Sequence, residues 1–217
     1  MRSQSDKDIV RSTISGDHRA GAELVRRYAD RGFALAIRIL RNREDAEEAV
    51  QDAFLRVFRS LERFEWKSSF ATWFYRIVYN VSVTAAQRRG IPLVYATDDP
   101  PVLETFTAPG NLPDGIAEGE ELDRIVRAEI EALPPASALI LTLFLLEEQS
   151  YDEIVSITGL PLGTVKNRLF RARALLREAV LARYHDSPRA TAADTAAPQV
   201  RDTIDSRTGD ETIISCV

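Results

Sequence analysis

"SYDEIVSITGLPLGTVKNRLFRARALLREAV", residues 150–180, holds two helix signals with a turn signal between them. Ser150 stands three residues before Glu153. That is the spacing of a capping box, in which each side chain satisfies a backbone N–H at the helix start. Ile154, Val155 and Ile157 follow as the apolar residues of a short helix. Gly159-Leu160-Pro161 then marks a tight turn, and helical spacing restarts at Leu162 or Gly163. Helix, glycine-containing turn, helix is the helix-turn-helix arrangement.

Placed at about 100° per residue, the second helix separates into two faces. Val165, Leu169, Ala172 and Leu176 share one side and are expected to pack inward. Lys166, Asn167, Phe170 and Arg171 share the other, with Arg173 at its margin. A basic outer face at the start of such a helix suits the major groove of duplex DNA. Arg and Lys reach guanine acceptors, Asn suits adenine, and a ring can touch a thymine methyl.

A second informative stretch is "FEWKSSFATWFYRIVYN", residues 64–80, with seven of the chain's seventeen aromatic residues. Ser68 or Ser69 caps a helix expected from Phe70 to about Arg88. Phe70, Phe74, Ile77 and Val81 fall on one face and are assigned to a core. Trp73 and Asn80 lie at its flank, while Thr72, Tyr75, Arg76 and Tyr79 point away. Spacing leaves the two tyrosines between packing under another helix and facing DNA. Phe64, Trp66 and Lys67 precede the helix in a loop, a candidate platform for unpaired bases, where stacking is worth ~1–3 kcal/mol per base.

Just upstream, "DAEEAVQDAFLRVFRSLERF" (residues 45–64) predicts a helix capped by Asp45 with Glu48 three residues on. Val50, Ala53, Phe54, Val57, Phe58 and Leu61 form its apolar stripe. Glu47, Glu48, Gln51, Asp52, Arg56 and Arg59 occupy the outer face, with Leu55 exposed among them.

The net charge of −5 conceals an alternation along the 217 residues. Residues 1–89 carry 17 Lys/Arg against 12 Asp/Glu, whereas residues 90–132 carry 2 against 10. Residues 133–184 are near neutral, with 6 against 5, and residues 185–217 are acidic again, with 3 against 6. Proline and glycine crowd the stretch 88–115 and break its periodicity. The expectation is an all-α protein: a helical domain at 1–89, a flexible acidic linker at 90–119, a helix-turn-helix domain at 120–184 and a disordered tail at 185–217.

"ALILTLFLL" (residues 138–146) is far short of the roughly 20 apolar residues that span a bilayer. The N-terminus lacks an apolar leader core, so a cytoplasmic location without membrane insertion is expected. The single cysteine, Cys216, allows no internal disulfide. His18 and His185 have no ligand partners at metal-binding spacing, so neither a metal nor a cofactor is expected. No phosphate loop, nucleophile elbow or metal-hydrolase motif appears, and no enzymatic activity is assigned.

Four stretches in this order ("DAEEAVQDAFLRVFRSLERF", "FATWFYRIVYNVSVTAAQRR", "LPPASALILTLFLLEEQSYDEI" and "GLPLGTVKNRLFRARALLRE") resemble a bacterial sigma factor of the extracytoplasmic-function (ECF) type. The resemblance covers roughly residues 8–184. It implies that the first domain binds the β′ clamp helices of core RNA polymerase through Glu48, Gln51, Asp52 and Leu55, with the β flap as a further polymerase contact. It also implies that the following loop and helix hold open the −10 element on the unpaired non-template strand, one base being flipped into a pocket. The matching positions are Phe64, Trp66, Lys67, Ser68, Ile77 and Asn80, with Arg88 and Arg89 at the upstream edge. The second domain would read the −35 element as duplex through Lys166, Asn167, Phe170 and Arg171, with Thr164 and Arg168 on phosphates. The family's linker enters the polymerase cleft, which suits an acidic segment, and an anti-sigma factor is an expected partner. Two other readings stay open from the residues alone. A stand-alone helix-turn-helix regulator would explain Gly159 to Glu178 but not the upstream aromatic loop. A helical adaptor would leave the basic face without a purpose.

Overall fold

Most helix starts in this chain are set by a side chain that takes up a backbone N–H lacking an intrahelical partner. Ser5 caps α1 (Asp6–Ile14) and Asp17 caps α2 (His18–Leu40), accepting from the Arg19 N–H at 2.8 Å. Asn42 caps α3 (Arg43–Ser60), and Ser69 caps α4 (Phe70–Arg88), accepting from the Thr72 N–H at 3.0 Å. After a break come α5 (Glu120–Ala132), α6 (Pro135–Leu141) with a π-turn at Thr142–Leu146, α7 (Tyr151–Thr158) and α8 (Leu162–His185). The computed structural model describes residues 5–92 and 120–185, and among them no strand occurs. Most of the expected linker (93–119) and all but its first residue of the expected tail, Cys216 included, lie outside the described residues.

One helix start differs from the sequence expectation. Asp45 is not the N-cap of α3; its backbone N–H donates to the Asn42 side chain at 3.0 Å. Asn42 and Asp45 are both good caps, and the earlier one is used. The Asp45 carboxylate, 8% exposed, instead pairs with Arg89 at the end of α4. Phe58 also departs from the predicted stripe: it is 39% exposed, beside Gly21 of α2.

Helices α2, α3 and α4 pack on one another, with α1 against α2. Leu24, Leu35 and Ile39 of α2, Ala53 and Val57 of α3, and Phe70 and Phe74 of α4 are buried at this centre. Phe74 sits among Tyr28, Phe54 and Tyr75, with ring centroids 5.0–5.6 Å away. In the second group, α8 packs along α5, α6 and α7. The predicted inner stripe of α8, Val165, Leu169, Ala172 and Leu176, is buried.

The two groups meet. Helix α4 lies against α7, and α2 against α6. Most of the face of α4 that spacing turned outward is therefore covered: Thr72 is 1%, Tyr75 0% and Tyr79 8% exposed, whereas Arg76 stays exposed. The Tyr75 hydroxyl donates to the Glu147 carboxylate, and Arg31 Nη1 lies 3.8 Å from the same oxygen. Burial pushes the Glu147 carboxyl above its ordinary range, with the Tyr75 hydrogen bond and the charge of Arg31 opposing. It pushes the Tyr75 hydroxyl up as well, and the Glu147 charge adds to that effect. The Thr72 hydroxyl lies 2.8 Å from Glu153 Oε1 and 2.9 Å from Gln149 Oε1, and its one proton serves one of them at a time.

Gly32 of α2 marks the tightest approach within the first group. A Cβ added there would stand 2.9 Å from Cζ of the fully buried Phe74. Alanine improves helix propensity by about 1 kcal/mol, but overpacking a filled core costs about 1–3 kcal/mol. Gly32→Ala is therefore expected to lower unfolding free energy by roughly 1 kcal/mol in urea titrations. A gain in stability would mean that the Phe74 ring can move aside.

Candidate nucleic-acid interface

The helix-turn-helix forms as its residues dictate. In α7 the Ser150 hydroxyl accepts from the Glu153 N–H at 3.3 Å, and Glu153 Oε2 accepts from the Ser150 N–H at 2.9 Å. Gly159 ends the helix at φ 72°, the left-handed region where a side chain is strained. The Gly159 N–H closes the turn onto the Val155 carbonyl at 2.8 Å.

Helix α8 presents its first turns unevenly. Lys166 is exposed, while Thr164, Asn167, Phe170 and Arg171 are half-buried. Arg168, expected on a phosphate, is 6% exposed; burial raises the Tyr79 hydroxyl of α4, and the charge of Arg168 opposes that effect. Arg173 lies over the Phe144 ring, 4.5 Å from its centroid, and belongs to the packing of the second group.

The loop between α3 and α4 builds an aromatic cluster. A 3-10 turn at Leu61–Arg63 leads into Phe64, whose ring stacks on Trp73 at 4.7 Å and 27° and lies 4.7 Å from Trp66. Trp66 is 38% exposed and adopts φ 56°, an uncommon conformation for a non-glycine residue and one that functional loops often hold. Lys7 of α1 reaches over its ring, with Nζ 5.9 Å from the centroid. Lys67 pairs with Glu65 at 2.5 Å, and Ser68 donates to the Ser69 carbonyl at 3.3 Å. On α4, Ile77 is half-buried and Asn80 exposed. Neither Lys7 nor the backbone of Trp66 was signalled by local sequence, since their meeting depends on how α1 packs.

The outer face of α3 is as predicted: Glu48, Gln51 and Asp52 are exposed and Leu55 is 53% exposed. Glu48 and Asp52 also edge a groove of about 190 Å³ between α3 and α4, shared with Arg56, Arg88 and Arg89. Arg88 and Arg89 are both exposed, and Arg89 is tied to Asp45. Among the described residues no cluster of His, Cys, Asp or Glu could hold a metal ion, and no helix is long and apolar enough to cross a membrane.

Residues 24–90 match the family described as Sigma-70 region 2, and residues 123–176 match Sigma-70, region 4. The chain is 34% identical over 174 residues to the ECF RNA polymerase sigma-E factor of Escherichia coli strain K12, a span covering 78% of this chain and 91% of that protein. It is 30% identical to the ECF RNA polymerase sigma factor SigW of Bacillus subtilis strain 168, covering 79% of this chain and 95% of that one. Its fold is similar to that of the sigma factor RpoE in complex with the anti-sigma factor NepR from Bartonella quintana, with a TM-score of 0.50 at 22% identity, over 73% of this chain and 95% of that one.

The two adjacent arginines at the end of α4 should behave differently when removed. Arg89→Ala leaves the buried Asp45 carboxylate without its partner and is expected to cost about 1–3 kcal/mol of stability. Arg88→Ala removes an exposed side chain and should stay within about 0.5 kcal/mol. Thermal unfolding of the two variants distinguishes them; equal effects would show that the Asp45 pair contributes nothing net.

Proposed function

Because the chain belongs to the ECF group of RNA polymerase sigma factors, we propose that it recognises two promoter elements through two separate surfaces while bound to core polymerase. The observation that carries this reading is the presence of two unlike DNA-suited surfaces in one chain. One is a helix with a basic start behind a glycine turn; the other is an aromatic loop with Trp66 held in a left-handed conformation. A duplex reader needs only the first. Stacking rings are of use only where bases have left the helix.

The roles divide as follows. Glu48, Gln51, Asp52 and Leu55 on α3 bind the β′ clamp helices; an exposed leucine within a charged face is an apolar anchor with a polar rim. Phe64, Trp66, Lys67 and Ser68 with Ile77 and Asn80 hold a flipped base of the −10 non-template strand. Arg88, and Arg89 to the extent that Asp45 releases it, meet the strand upstream. Lys166, Asn167, Phe170 and Arg171 read the −35 duplex, with Thr164 and Arg168 on its phosphates. The second domain contacts the β flap. The chain does no chemistry of its own and acts in the cytoplasm beside the polymerase that does. The solved relative bound to an anti-sigma factor supports an inhibitor of that kind as a further partner.

Run-off transcription with core polymerase and promoter templates tests the whole reading. Promoter-dependent initiation is expected. A chain that binds duplex by itself but leaves the polymerase indifferent would be a stand-alone helix-turn-helix regulator. Two substitutions test the surfaces. Asn80→Ala should weaken open-complex formation more than polymerase binding, and equal loss of both would remove it from the base pocket. Arg171→Ala should cost about 1–3 kcal/mol and relax specificity at one −35 position if it contacts a base edge. Uniform weakening across sequences would assign it to a phosphate instead.

A further inference from the structure

We propose that residues 210–217 of this chain, "DETIISCV", dock in the arginine-edged cleft between α2 and the α5–α6 corner. The docking is independent of the promoter reading above.

The cleft has an apolar floor and a basic edge. About 500 Å³ is open there, a volume in the range that holds ligand-sized groups. Phe33 and Ile37 of α2, with Leu133 and Pro135 at the α5–α6 corner, line it and are each half-buried. Arg38, Arg41 and Arg43 edge it against one acid, Glu131. Arg41 caps the end of α2 at φ 53° and Arg43 begins α3, and both are exposed. Arg43 lies over the Phe33 ring, 5.4 Å from its centroid, with Nε 2.8 Å from Glu47. A guanidinium has five N–H donors, so a carboxylate on Nε leaves others for a second acid. Such a site suits a segment that carries carboxylates next to aliphatic side chains.

Residues 186–217 hold one such segment. Four of their six acids fall within 202–211, against one arginine, Arg207. Ile213 and Ile214 are their only adjacent pair of large aliphatic residues, and Asp210 and Glu211 stand just before them. With the isoleucines on Phe33 and Ile37, the carboxylates meet Arg41 and Arg43.

The exit from α8 delivers this segment to the cleft. Arg183, two residues before the end of α8, pairs with Glu129 of α5 at 2.5 Å. Glu131, two positions further along α5, already lines the cleft. A helix is about 10–12 Å across, so the cleft edge lies on the order of 10–15 Å from the end of α8. Residues 186–209 reach about 80 Å when extended, several times what is needed. A tethered segment binds at an effective concentration in the millimolar range, so modest contacts suffice.

Cys216 is the chain's one cysteine, and it reports the position of the segment directly. A second cysteine is placed in the full chain at Glu131→Cys in the cleft or, as a control, at Glu178→Cys on α8. Both sites are exposed, and both changes remove one negative charge. A disulfide needs its two Cα atoms within about 7 Å. In a glutathione buffer, the intrachain disulfide of the Glu131→Cys chain should have an equilibrium constant at least fivefold above the control. Arg41→Glu with Arg43→Glu should bring it down to the control value, with circular dichroism unchanged. Adding Asp210→Lys and Glu211→Lys should restore it. Equal constants at the two positions overturn the docking, as does a charge reversal that has no effect or is not rescued. Disulfides found mainly between chains, by mass, overturn it as well and give the cleft to the segment of a second copy.

Discussion

One carboxylate, that of Glu153, closes the first turn of α7 with one oxygen and meets the Thr72 hydroxyl of α4 with the other. The residue that allows the helix-turn-helix to begin is thus also a tie to the other domain. Its protonation reflects this double use. Burial alone would raise its pKa, yet the Ser150 N–H and the Thr72 and Ser150 hydroxyls together hold it below the ordinary value. A charge kept ionised by hydrogen bonds is a strong acceptor, and bonds to it are shorter and stronger than those between neutral groups. The orientation of α7, and through it of α8, therefore depends on a network that extends into α4.

The same helix α4 serves two neighbours with different rings. Phe70 and Phe74 fill the first core. Trp73 stacks on Phe64 and so anchors the loop that carries Trp66. Tyr75 and Tyr79 turn to the opposite side and lie buried where the domains meet. Crowding of aromatics in one segment follows from the number of surfaces it faces. Tyrosine stands where a buried ring must still satisfy a hydroxyl, and phenylalanine where it need not.

The parts of this structure that were legible in the sequence are those fixed within one helix. The α8 stripe, the α7 capping box, the Gly159 turn and the span of α4 each depend on neighbours three or four residues away, and all are found as spacing predicts. Misreadings arise where a distant partner decides. Asp45 has the composition of a cap, but Asn42 takes that place and Arg89, 44 residues on, takes the carboxylate. A helical wheel turns Thr72, Tyr75 and Tyr79 away from the first core but, containing no α7, leaves the tyrosines open between a second helix and DNA; the structure buries them. Of the candidate site, the exposure of Leu55 and Lys166 could be read from periodicity. The enclosure of Arg168 and the left-handed Trp66 could not, since both follow from packing between elements far apart in the chain.

The junction between the groups is not polar alone. Helix α6 lies against α2 and α7 against α4, and the buried apolar residues of both groups form one cluster that includes Leu139, Ile140, Ile154 and Ile157. Hydroxyl and carboxylate contacts add to that burial: a hydrogen bond to a charged group contributes about 1.5–3 kcal/mol net, and a neutral one about 0.5–1.5. Burial raises the Glu147 carboxyl and opposes part of the gain. Apolar burial, at about 1.5–3 kcal/mol for each fully buried side chain, joins the groups, while the pairs Tyr75–Glu147 and Thr72–Glu153 fix which residues face each other.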